Sequence, residues 1–149
     1  MIISVIGAGS CDREIYGIAE EVGRLAAEKK AIIITGGLGG VMEAASKGAS
    51  RAGGITVGIL PGFDRREANP YVSVPVATGL SHARNVIVAR SADAVIAVSG
   101  EYGTLSEIAI ALKLGKPVIA LHSWDTISGV IRADSPEEAV RRAFELARG

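Results

Sequence analysis

Ala31-Ile32-Ile33-Ile34-Thr35-Gly36-Gly37-Leu38-Gly39-Gly40-Val41-Met42-Glu43 is the stretch on which the fold turns. A β-branched apolar run stops at four glycines within five positions, and helix-like sequence follows. A short run without polar alternation fits a strand buried on both faces. The same order recurs upstream, where Ile2–Ile6 leads into Gly7-Ala8-Gly9-Ser10. It recurs again downstream, where Ala94–Val98 leads into Ser99-Gly100-Glu101-Tyr102-Gly103-Thr104. In a parallel sheet all three turns lie along the carboxyl ends of the strands, the edge where open α/β folds bind ligands. Glycine there allows positive φ and close backbone approach, and free N–H groups at a helix start suit an anion such as phosphate.

Outward from these loops the chain alternates β-branched runs with helical periodicity, the signature of a parallel α/β sheet. Strands are expected at 2–6, 31–35, 55–60, 72–76, 93–98 and 117–121. Helices are expected over 12–29, 39–52, 80–91 and 104–114, the last of these stopped by Gly115 and Pro117. In the first helix Ile15, Ile18, Val22, Leu25 and Ala26 form the inward stripe. A final helix opens at Ser135-Pro136-Glu137-Glu138, with Ser135 as N-cap, Pro136 at the first helical position and Glu138 at N3. The charged segment Gly62–Pro70 follows the third strand and reads as a solvated connection or a lid. No linker or repeat divides the chain, so one domain over 1–149 is expected.

Composition narrows the function classes. Nineteen glycines in 149 residues is about 13%, against a usual ~7%. Sixteen basic residues balance sixteen acidic ones, and no Lys/Arg stripe points to nucleic acid. No apolar run approaches the ~18 residues of a membrane span, and the start lacks signal-peptide features. A lone Cys11 and two separated histidines exclude an internal disulfide and argue against a zinc site, so no metal and a cytoplasmic setting are expected. The absence of Gln and the two Asn residues (Asn69, Asn85) hint at a hot-living source.

The loops differ in chemistry. The first begins like a dinucleotide fingerprint, but Asp12 stands where the third glycine belongs and fits a helix N-terminus better. Gly7, Gly9 and Ser10 read either as a tight turn or as ligand donors. The second loop lacks the Lys-Ser/Thr of a Walker loop, and its glycine density favours close approach of a ligand at Gly36, Gly37, Gly39, Gly40, Val41 and Met42. Glu43 there suits either a ligand or the helix start. In the third, Thr104-Leu105-Ser106-Glu107 has capping-box spacing, while Gly100, Tyr102 and Gly103 form an exposed turn beside it. Tyr102 is placed to stack on a base or to cover the loop. Arg84, in Ser81-His82-Ala83-Arg84-Asn85, puts a cation near a helix start where the dipole disfavours it. Such a conflict marks a functional site, and a guanidinium fork suits phosphate; a surface salt bridge is the plainer alternative.

Together these residues resemble the LOG ("lonely guy") superfamily. Gly36–Glu43 is similar to its GGGxxGLMG-type loop, and Ser99–Glu107 to its PGGxGTxxE signature. The order extends over nearly the whole chain, including Val57–Pro61 and Ala92–Ala94. The resemblance is strongest to a short branch that includes molybdenum-cofactor carrier proteins and nucleotide-binding Rossmann-like proteins. It implies a Rossmann-like α/β three-layer sandwich with a mainly parallel sheet. It also implies hydrolysis of the N-glycosidic bond of a nucleoside 5′-monophosphate, with Glu107 and Arg84 as the catalytic pair. Three positions depart from the pattern. Asn85 stands where the enzymes have lysine, Ser99 replaces the signature proline and Glu101 replaces a glycine. The charge changes favour binding of a nucleotide or similar phosphate-bearing purine or pterin ligand, with Asn85 among its contacts. Phosphoribohydrolase activity and a molybdenum-cofactor carrier are the alternatives. The partner expected is thus a small phosphate-bearing molecule, a nucleotide or molybdopterin-type ligand, with no cofactor required. A homo-oligomer, dimer or tetramer, is implied through helices 80–91 and 104–114.

Overall fold

The structure, a computed structural model, describes residues 1–147. The first apolar run becomes β1 (Ile2–Gly7), the middle of the sheet. It is followed by β2 (Ile32–Thr35), β3 (Thr56–Leu60), β4 (Val74–Ala77), β5 (Ala94–Val98), β6 (Val118–Leu121) and β7 (Val130–Arg132). The α-helices are α1 (Arg13–Glu28), α2 (Val41–Arg51), α3 (Arg84–Ser91), α4 (Tyr102–Lys113) and α5 (Pro136–Ala147). All pairings are parallel, in the order β4-β3-β2-β1-β5-β6-β7. This is the expected three-layer, Rossmann-like α/β sandwich.

Strand side chains alternate between two cores, as a period of two requires. Ile3, Val5, Ile33, Ile96 and Ile119 pack with α1, α2 and α5 on one face. Ile6, Ile34, Ile59, Val95 and Val118 pack with α3 and α4 on the other. Polar Ser4 sits fully buried in β1 because its hydroxyl donates to the Val88 carbonyl of α3 at 2.7 Å. Strand order reverses between β1 and β5. The crevice at their carboxyl ends is therefore the place where this topology receives ligands.

Several elements differ from expectation. A seventh strand, β7, pairs with β6; its three residues are too few to display a period. β4 lies two residues later at its start, after Ser73 has joined Thr56 through backbone and hydroxyl bonds. A 3₁₀ turn, Ser81–Ala83, takes the first part of the expected 80–91 helix, since Ser81 has φ 52°. On α1 the fully buried residues are Ala19, Val22, Gly23, Ala26 and Ala27. Ile15, Ile18 and Leu25 lie at the margin of that core. The close approach of α2 selects the smallest side chains for the line of contact.

The charged Gly62–Pro70 segment has a structural task. Asn69 donates from its backbone to the Gly37 carbonyl at 2.9 Å and from its side chain to the Leu38 carbonyl at 2.9 Å. It thereby holds the second glycine loop. Asp12 caps α1, its carboxylate accepting from the Ile15 N–H at 2.9 Å. No helix among the described residues is long and apolar enough to cross a membrane.

Candidate functional site: the crevice at the carboxyl edge

A crevice of about 390 Å³ opens at the reversal point, within the range of ~300–1,000 Å³ usual for small-molecule sites. The first loop contributes Gly7, Gly9 and Ser10, the second Gly36, and α2 Met42. The start of α3 supplies Arg84 and Asn85, and α4 supplies Gly103, Thr104 and Glu107. Four segments far apart in sequence thus meet around one space. Gly37, Gly39, Gly40, Val41, Gly100 and Tyr102 are outside its lining.

The glycines divide by task. At Gly36 a Cβ would lie 2.7 Å from Arg84 Nη2 and 2.6 Å from Met42 Sδ, so a side chain there would displace the guanidinium. Gly40 instead serves the contact between loops. Its φ is 61° and a Cβ would lie 2.6 Å from the Gly9 carbonyl carbon, while Val41 N–H donates to the Ala8 carbonyl at 2.9 Å. Part of the glycine density that suggested ligand approach therefore arises from one loop packing on another.

Arg84 is no surface salt-bridge residue, being only 8% exposed. Its Nε donates to the Ile59 carbonyl at 3.0 Å, and one terminal nitrogen reaches the Gly36 carbonyl at 3.5 Å. The other donates to Asn85 Oδ1. Asn85 continues the chain, donating to Ser106 Oγ at 3.3 Å, and Ser106 donates to the Gly103 carbonyl at 2.6 Å. These acceptors orient the guanidinium without neutralising it. Burial pulls its pKa below the ordinary value, and the Glu107 charge opposes that pull.

Glu107 is not a capping residue. α4 begins at Tyr102, two residues earlier than expected, with Glu101 at the N-cap position. Thr104 and Glu107 accordingly lie within the helix and are buried, Glu107 being 7% exposed. Its carboxyl has no hydrogen-bond partner among the described residues. Burial pushes its pKa up to about 7, against a weaker opposite pull from Arg84. A carboxyl poised there exchanges a proton near neutrality, and a fixed cation shares its crevice. That pairing suits binding an anion and moving a proton.

The third loop explains one departure from the resembled signature. Ser99 has φ 54° and its N–H donates to the Leu121 carbonyl at 3.0 Å. Proline, with φ fixed near −65° and no N–H, cannot occupy this conformation. Tyr102 is 80% exposed, its ring 6.3 Å from that of Trp124. Sequence reasoning left out Ile6, Ala8, His82 and Glu101, which also line the crevice. Ala8 between two flagged glycines and His82 two residues before Arg84 carried a signal of proximity; Ile6 was read only as strand. Among the described residues no group of three or more His, Cys, Asp or Glu is placed to hold a metal ion.

Comparison with known proteins agrees with this architecture. The chain belongs to the SLOG cluster4 family, whose model matches residues 1–145, within the LOG-like and molybdenum-cofactor-carrier-like superfamily. It is 54% identical over 140 residues to an uncharacterized protein of Archaeoglobus fulgidus, covering 94% of this chain and 92% of that one. It is 31% identical over 106 residues to a probable cytokinin riboside 5′-monophosphate phosphoribohydrolase of Oryza sativa. That match covers 68% of this chain and 47% of the rice protein, about half its length. Among solved structures, the molybdenum cofactor binding protein of Rippkaea orientalis superposes with a TM-score of 0.91 at 38% identity. The superposition covers 97% of this chain and 96% of that one.

Proposed function

We propose that this SLOG cluster4 protein binds a small heterocycle carrying one phosphate group, a nucleoside monophosphate or a phosphorylated pterin, in the crevice at the carboxyl edge. The observation that carries this reading is Arg84. The hydrogen bonds of this buried cation all go to neutral acceptors, and among the described residues only the carboxyl of Glu107, raised to about 7, acts on its charge. Such a cation favours an anionic ligand, because an incompletely neutralised buried charge is costly. Arg84 is the one Lys or Arg in the lining, beside His82 and the carboxyl groups of Glu101 and Glu107. That balance suits a single phosphate better than a chain of them. Gly9 and Ser10 at the first loop offer further donors. The whole-length similarity to a molybdenum cofactor binding protein supports a pterin as the heterocycle, and a carrier role accords with it.

Calorimetric titration with nucleoside monophosphates, a phosphorylated pterin and the matching unphosphorylated compounds tests the reading. Arg84→Ala should weaken the phosphorylated ligands by roughly 10- to 100-fold, the scale of a hydrogen bond to a charged group, and leave the others nearly unchanged. Equal losses for both series would remove Arg84 from phosphate recognition. Mass spectrometry of whatever co-purifies with the protein identifies the heterocycle.

Glu107 favours a second reading, hydrolysis of the N-glycosidic bond of a nucleoside monophosphate. Its carboxyl, raised to about 7, is suited to proton transfer in the same crevice as Arg84. Release of free base from a monophosphate, abolished in Glu107→Gln with affinity retained, is the expected result; no release from any monophosphate refutes it. We read the chain as one cytoplasmic domain over 1–149 that assembles as a homo-oligomer. Exposed Val86 and Ala109, with half-buried Ile110 and Leu112, give α3 and α4 an apolar outer face for that contact.

A further inference from the structure

Glu101 occupies the N-cap position of α4, yet its side chain caps nothing. Its backbone is tied from two sides. The carbonyl accepts from Leu105 N–H at 2.9 Å and from Trp124 Nε1 at 3.2 Å. The loop beneath it is braced by Ser123, whose hydroxyl donates to the Ser99 carbonyl at 2.7 Å. Glu101 is exposed and lines the crevice, and its carboxylate has no hydrogen-bond or ion-pair partner among the described residues. A rigid backbone thus presents an unused acceptor at the rim of a site whose buried end carries Arg84.

The two groups ask for opposite chemistry. A guanidinium only donates and an ionised carboxylate only accepts. Phosphate belongs at Arg84 and is repelled at Glu101. The remainder of the ligand, passing the rim, meets an acceptor with two oxygens. Such a group rewards two adjacent N–H donors in a paired, charge-assisted contact. The 2-amino-4-oxopyrimidine edge, common to guanine and the pterins, offers a ring N–H beside an exocyclic amine. Adenine offers an amine beside a ring lone pair, which would face the carboxylate as a like partner.

We infer that Glu101 is a specificity-determining residue that selects phosphorylated ligands bearing the 2-amino-4-oxopyrimidine edge over adenine nucleotides. The inference rests on the reading of the crevice as a phosphate-ligand site. Titration of the wild type and of Glu101→Gln with GMP, AMP and a phosphorylated pterin tests it. The wild type should bind GMP or the pterin about tenfold more tightly than AMP, as expected of a hydrogen bond to a charged group. The tighter of those two ligands identifies the heterocycle. Glu101→Gln should bring the preference within about threefold, with AMP gaining affinity as the repulsion of its ring lone pair is relieved and with the same melting temperature as the wild type. AMP binding as tightly as the others, or a preference that survives in Glu101→Gln, overturns the selectivity while leaving the phosphate reading intact. If none of the three binds the wild type, the phosphate reading fails, and the inference falls with it.

Discussion

The starts of α4 and α5 carry the same sequence pattern and fold to opposite ends. Thr104-x-x-Glu107 and Ser135-x-x-Glu138 both have the spacing of a capping box. At α5 the pattern is used as a cap. Ser135 Oγ accepts from Glu138 N–H at 3.1 Å, and the Glu138 carboxylate accepts from Asp134 N–H at 2.8 Å and from Arg142 at 3.0 Å. Those donors hold the Glu138 carboxyl below the usual range, the Asp134 backbone bond contributing most. At α4 the helix starts at Tyr102, so the same pattern is drawn inside it. Thr104 and Glu107 then face the crevice, and burial raises Glu107 to about 7. Spacing alone does not make a cap; where the helix begins decides it.

Glu107 carries the largest difference between the two helix starts. Below the ordinary value of 4.5, folded and unfolded chains both hold its proton. Between 4.5 and about 7 only the folded chain keeps it, so the stability contributed by Glu107 falls as pH rises and levels off above about 7. By linkage the loss is about 3 kcal/mol. Glu107→Gln should therefore gain stability over the wild type across that window, read from denaturant melts at pH 4, 6 and 8. A difference that does not change with pH would return Glu107 to a merely structural role.

A smaller effect separates the two hydroxyls. Ser135→Ala should cost about 1 kcal/mol, the usual value of a lost N-cap. Thr104→Val, which removes a hydroxyl with no capping bond, should stay within about 0.5 kcal/mol. Equal costs in thermal melts would mean that Thr104 supports its helix as Ser135 does. The smallest effect belongs to Glu138. Its lowered pKa contributes stability present above the ordinary glutamate value and lost as pH falls through the folded one. Glu138→Gln should flatten only the acid limb of the stability profile, opposite in sign to Glu107→Gln.

Much of the fold was legible because it depends on local patterns. The buried strands announce themselves as unbroken β-branched runs, and each glycine loop marks a carboxyl end. β7 escaped notice because Val130-Ile131-Arg132 is too short to show a period. Of the site, Arg84 was flagged by its conflict with the helix dipole, and the structure sets it against Gly36 of the second loop, in the crevice that Glu107 also lines. His82 went unread as a lining residue although it stands two positions before Arg84, and Glu101 was noted only as a departure from the signature, because which way the third loop faces is set by tertiary packing. The glycines of the second loop looked alike in sequence, yet Gly36 faces Arg84 while Gly40 meets the first loop.

The amino-acid sequence by itself determined a parallel α/β sheet with glycine loops along one edge, since period, branching and glycine act over a few residues. Tertiary structure alone decided which of those loop residues share a space and which carboxylate loses its water. Pro136 after Ser135 is the one local mark that fixes the start of α5, and Glu107 and Glu138 otherwise share the same capping-box spacing. Packing of α4 against the sheet removes solvent from one and leaves it around the other. Desolvation depends on the whole fold, and it gives the crevice its chemistry.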